Sequence, residues 1–236
     1  MHIYIEQQKN QNGIAKSLEL NDEDIVLAEL IGLLHDIGRF EQAKKYNTFL
    51  DKISINHAEY GVKILFEDNL IRKFIKDNQY DEIIKKAILN HNKAEIESIA
   101  DERVLLHCKI IRDADKLDIF NVILNDKLEN VYPLEQYKKE PITQTIKEEF
   151  IKNHLISYSN AKSCVDFLVG QIAFVFNMNF LYGLKKIYDQ KYVEKIIKKF
   201  DAKDEETVKV LDKFKNISKK YMQDKIKEGK ICLKNY

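Results

Sequence analysis

Between residues 25 and 34 the chain reads Ile-Val-Leu-Ala-Glu-Leu-Ile-Gly-Leu-Leu, a run with almost no polar face. A helix of that kind is expected to be buried. Asn21 or Asp22 caps it, and Glu23 and Asp24 suit its N-terminal dipole. Gly38, just past its end, stands where a C-terminal glycine belongs. An earlier helix is expected from Ile3 to Leu18, and a polar loop from Arg39 to Lys52. Ser54 then reads as the N-cap of a helix through Phe66, and Asp81 as that of a helix through Asn90. Asp101 opens a longer pattern that runs to about Leu124.

Both prolines fall between Glu129 and Pro141, which makes this charged stretch the natural connection between two halves. Beyond it the periodicity predicts helices over Ile142–Ile156 and Ala161–Ile187, then a charged amphipathic section from Tyr192 to about Glu228 that stops at Gly229. The expected fold is all-α: residues 1–128 form a helical core, and residues 129–236 a helical extension packed on it as one compact unit. Its apolar helix near Cys164–Leu184 is expected to close one wall of the core's cavity.

Composition supports the helical reading, since only 7 Gly and 2 Pro occur among 236 residues. With 39 basic against 38 acidic residues the net charge is +1, so the molecule has neither a nucleic-acid nor a membrane signature. Cys108, Cys164 and Cys232 are too scattered for a disulfide framework or a zinc knuckle, and read as small core residues in a reducing compartment. The N-terminus turns polar at once and is not expected to be a signal peptide. Asp166, Gln171, Asn177 and Asn179 interrupt the longest apolar stretch, which therefore suits a core helix better than a membrane span. A cytoplasmic location is expected, and self-association is left open.

The buried helix ends in His35-Asp36. Two ionisable groups in its last turn are costly unless something satisfies them, and a metal ion is the simplest agent that satisfies both. His57 shares a stripe with Tyr60, Gly61, Ile64 and Leu65. His91 follows Ala87 and Ile88 on an apolar face, and Asp115 lies on the line Cys108, Ile111, Ile119, Val122. Each alone is an ordinary core polar group. Three helices each directing one inward, beside the His-Asp pair, is how carboxylate–histidine metal sites are built in helical bundles.

The order His2, His35-Asp36, His57, His91, Asp115 resembles the HD superfamily of metal-dependent phosphohydrolases. The local contexts that carry the resemblance are Gly32-Leu33-Leu34-His35-Asp36-Ile37-Gly38, His57-Ala58-Glu59-Tyr60-Gly61, Asn90-His91-Asn92 and Ala114-Asp115-Lys116-Leu117, spread over residues 2–125. The resemblance implies an HD-domain helical bundle with the metal site inside. It implies His35, Asp36 and Asp115 as ligands, with Asp36 able to bridge two ions. His57 and His91 resemble the additional ligands of members with a two-metal centre, and His2 takes the place of the family's first histidine. Asp115 is preferred to Asp113 and Asp118 because it matches Ala-Asp-Lys-Leu and carries the apolar stripe. His107 and His154 match no motif position and read as surface groups or supports of the site.

Four neutral histidines and two aspartates would offset only half the charge of two divalent ions. The remainder attracts a phosphate oxygen and lowers the pKa of a bound water, so that a metal-activated hydroxide attacks phosphorus. The cofactor expected is one or two divalent transition-metal ions (Mn, Fe, Co, Ni or Zn, with Mg admissible). Arg39 is the preferred further phosphate donor and Lys116 the second, with Lys93 also near a ligand. The partner expected is a small phosphorylated substrate, such as a nucleotide. Two other readings stay open at this point: a di-iron oxygenase built on the same ligands, and a non-catalytic regulatory domain that keeps a metal.

Overall fold

The computed structural model describes residues 2–128 and 139–229, and for residues 2–8 the backbone alone. Cys232 and residues 129–138 of the expected connection lie outside the described residues. The described chain is helical and contains no strand. It divides into two compact units, Met1–Asp115 and Lys116–Tyr236. This division falls inside one continuous helix rather than after residue 128.

In the first unit α1 (His2–Ser17) packs along α2 (Asp22–Leu34). Asn21 caps α2, its side-chain oxygen accepting from the Asp24 N–H at 2.8 Å. Leu27, Ile31 and Leu34, spaced four and three apart, form the buried stripe, and each contributes ~1.5–3 kcal/mol by leaving water. The expectation that α2 is buried all round is corrected. Val26 and Leu33, seven residues apart on the opposite line, are 62% and 38% exposed, because the helix has neighbours on one side only.

After Leu34 the chain does not enter a polar loop. His35 and Asp36 make a two-residue turn and α3 (Ile37–Tyr46) starts at once. Gly38 therefore sits inside a helix, not past the end of one. The reason for glycine there is a close crossing with α4 (His57–Val62): a Cβ at Gly38 would come within 2.1 Å of the His57 carbonyl oxygen and 2.7 Å of the Gly61 nitrogen. The expected start at Ser54 moves to Asn56, whose side chain accepts from the Ala58 and Glu59 N–H groups. Ser54 instead accepts from Gln42 and donates to the Leu50 carbonyl. The helix expected to run through Phe66 widens into a π-turn at Lys63–Glu67.

Next come α5 (Asp81–His91) and α6 (Glu102–Asn125). Asp81 is the first helical residue of α5 rather than its cap, and pairs with Arg72. Asp101 starts α6 as expected, accepting from the N–H groups of Arg103 at 2.8 Å and Val104 at 3.1 Å. Ile84, Ala87, Ile88, Cys108 and Ile111 close the core against α2. Cys108 is a free thiol whose pKa burial pushes up to about 12. His107 is not a surface group. It is fully buried, with Nε2 3.0 Å from Asp24 Oδ1.

The second unit continues with α7 (Gln144–Lys152), α8 (Cys164–Ile172), α9 (Leu181–Asp189), α10 (Tyr192–Phe200) and α11 (Glu205–Glu228). The single helix expected over 161–187 is two. Ser163 and Asp166 form a capping box that delays the start, and a 3-10 stretch at Ala173–Asn177 breaks the middle. The charged section is likewise broken: Asp201 adopts a left-handed conformation and Asp204 caps α11. Gly229, at φ +66°, ends α11 where expected. Phe150 stacks on Phe214 at 3.9 Å in the interior of this unit. Among the described residues no helix is long and apolar enough to cross a membrane.

Candidate metal centre

Helix ends deliver the polar groups of the first unit to one place. His35 is the C-cap of α2, Asp36 the residue before α3, His57 the first residue of α4 and His91 the last of α5. Asp115 comes from within α6. Ligand atoms of His35, Asp36 and His91 all lie within 4.8 Å of one another. The two oxygens of Asp36 face different neighbours. Oδ2 is 3.4 Å from His35 Nε2, which is also 3.8 Å from Asp115 Oδ1. Oδ1 is 3.4 Å from His57 Nε2 and 3.8 Å from His91 Nε2.

Hydrogen bonds fix the histidine tautomers. His35 Nδ1 donates to the Gly32 carbonyl at 2.9 Å and His91 Nδ1 to the Ile88 carbonyl at 2.6 Å. His57 Nδ1 donates to the Asp51 carboxylate, 2.7 and 2.9 Å from its two oxygens. In the neutral rings every Nε2 therefore presents a bare lone pair. Those of His57 and His91 face each other at 3.0 Å, an arrangement of two acceptors and a carboxylate that only a cation satisfies. The donor set fits a divalent metal ion.

Electrostatics agree. Burial pulls the His35 pKa down, but the carboxylates of Asp36 and Asp115 outweigh it and lift it to about 9. Without a metal, the cluster thus holds a proton as its cation. Burial acts to raise Asp36, yet His35 and then Arg39 hold it below the usual carboxylate range. Burial, reinforced by the His35 charge, drives His91 well below the imidazole range, and burial with Arg39 lowers His57. Burial raises Asp115. The imidazoles are almost wholly buried, whereas Asp36 and Asp115 are 24% and 27% exposed. The carboxylates therefore form the mouth of the site and the imidazoles its floor.

Comparison with protein families matches residues 10–119 to the HD domain. The chain carries an HD domain. No curated protein and no solved structure matches it. HD domains bind divalent metal ions, and the matched residues contain His35, Asp36, His57, His91 and Asp115. Among the described residues, Asp115 is the aspartate of α6 that faces His35. His2 begins α1 ahead of the matched residues, and its side chain lies outside the described residues.

Arg39 joins the cluster by bonding it: Nε donates to Asp36 Oδ1 at 2.9 Å and Nη1 to the Phe49 carbonyl at 3.2 Å. Lys116 turns instead to Asn177, bonding its backbone and side-chain oxygens within the second unit. Lys93 pairs with Glu97 at 2.8 Å. Asp51 went unnoticed in the sequence, because it stands in a stretch that reads as loop and belongs to no apolar stripe. Gln42, buried in α3, donates to it at 2.8 Å, and Asn92 at 3.3 Å. A carboxylate a few residues before an N-cap asparagine and a buried histidine was the available signal.

Proposed function

We propose that this HD domain is a metal-dependent phosphohydrolase that cleaves a phosphomonoester or phosphodiester of a nucleotide or related small molecule. The observation that carries the reading is the division of Asp36, one oxygen toward His35 and the other toward His57 and His91. His35, Asp36 and Asp115 would hold one ion, and Asp36, His57 and His91 the other. Bound there, divalent ions supply a water of lowered pKa and neutralise charge on the phosphoryl group. The nitrogen-rich donors favour Mn, Fe, Co, Ni or Zn over Ca.

The chain's own part is to fix the ligands and admit the substrate. The partly exposed carboxylates leave room for a phosphate at the mouth, and the buried imidazoles exclude water from beneath. Arg39 is 32% exposed while it holds Asp36, and its remaining N–H groups can donate to a phosphate oxygen.

The test is a panel of nucleotides and p-nitrophenyl phosphate esters with metal-loaded protein. Hydrolysis supported by Mn or another divalent ion, and abolished in Asp36→Ala, is expected. Stoichiometric iron with substrate-dependent O2 uptake and no hydrolysis would overturn the reading in favour of oxygenase chemistry.

A further inference from the structure

His35 and His91 follow one structural rule, and His57 departs from it. The first two stand at helix C-termini, so the carbonyl three residues back lies beneath the ring and accepts the Nδ1 proton. His57 opens its helix. The residue three before it, Ser54, has φ −139° and ψ −104°, so no helical carbonyl lies beneath His57. An acceptor must come from elsewhere, and it comes from Asp51, six residues earlier.

We propose that Asp51 is the positioning residue of the His57 half of the metal centre, an assignment that rests on the reading above. Its carboxylate spans His57 Nδ1 with both oxygens, which holds the ring in the rotamer and tautomer that aim Nε2 at Asp36. A carboxylate behind a ligating histidine also raises the basicity of its metal-facing nitrogen. Asp51 is itself clamped. Gln42 Nε2 reaches it at 2.8 Å from α3, and Asn92 Nδ2 at 3.3 Å from the end of α5. Gln42 Nε2 also lies 2.9 Å from both Ser54 Oγ and the Ile55 carbonyl, so the turn that follows Asp51 is anchored to the same side chain.

The test is titration of the metal-free full chain with Mn(II), with electron paramagnetic resonance to separate isolated ions from a coupled pair. Wild-type protein is expected to bind two ions and show the coupled signal. In Asp51→Asn one ion keeps its affinity and the other weakens by about ten- to a hundredfold, so that at limiting Mn(II) only the isolated signal remains. Gln42→Met, which leaves Asp51 in place but removes its anchor, shows a smaller loss in the same direction and serves if Asp51→Asn fails to fold. Unchanged affinities in Asp51→Asn, or equal weakening of both ions, would overturn the assignment while leaving the metal centre intact. A wild-type protein that takes up no Mn(II) would overturn the metal-centre reading, and the assignment with it.

Discussion

Asp36 and Asp166 are carboxylates of different compact units, and their surroundings are opposite. Asp166 is fully buried and receives hydrogen bonds from the N–H groups of Thr143, Lys162 and Ser163 and from the Thr143 hydroxyl, at 2.5–3.2 Å. Every partner is a donor, and the carboxylate is complete as it stands. Asp36 shares its surroundings with ring nitrogens whose lone pairs point the same way as its own. A buried carboxylate ringed by donors is a piece of architecture. One that receives Arg39 on one oxygen but otherwise faces imidazole lone pairs is half of a binding site, because an added cation resolves the remaining repulsion.

Substitutions should separate the two. The largest effect is expected for Asp36→Ala: loss of both ions and a fall in turnover of about ten-thousandfold, ~5 kcal/mol, with the fold kept as judged by circular dichroism. Turnover within tenfold of wild type would detach Asp36 from the chemistry. Asp166→Ala should show the mirror image. Stranding its donors costs ~3 kcal/mol of stability, read by denaturant unfolding, while the folded protein keeps its Mn(II) affinity. Equal losses of affinity in both variants would erase the contrast.

Gly38→Ala probes the crossing that brings His57 to Asp36. An added Cβ meets backbone, not a movable side chain, so a cost of ~2 kcal/mol is expected together with weakened binding at the His57 half. Unaltered stability would show that the crossing has slack.

The smallest effect concerns pH. Burial acts to raise the Asp24 pKa, but hydrogen bonds from His107 and Arg103 outweigh it and the pKa is lowered. Its stabilisation is therefore fully present above the unfolded carboxyl value, near 4, and is lost below it as pH falls through the lowered folded value. Burial lowers His107, so the unfolded chain takes up that proton more readily and stability also declines below about 6.5. Melting of Asp24→Asn between pH 5 and 2 should show a shallower acid decline than wild type. An unchanged slope would remove Asp24 from the account.

Much of the site was legible in the sequence, because its residues are anomalies there: His57, His91 and Asp115 are polar groups at apolar phases of helices, and family motifs surround them. The caps at Asn21 and Asp101 and the stop at Gly229 were readable for the same local reason. The misreadings arise where a distant contact overrides a local signal. Gly38 resembles a helix terminator until α4 is placed against it, and the loop expected after it is a helix. The break at Ala173–Asn177 interrupts a pattern whose periodicity alone predicts continuity. Asp51 left only a faint signal, its place shortly before the N-cap asparagine and His57, because its role depends on where the His57 ring sits.

The approach of Gly38 to Gly61 and the His57 carbonyl is a contact of main chain against main chain. Backbone atoms are the same whatever side chains surround them, so the interval between the turn bearing Asp36 and the helix bearing His57 does not vary with the volume of the neighbouring core. The crossing acts as a fixed gauge, and Gly38 is the residue that sets it, because any larger side chain there would push one main chain off the other.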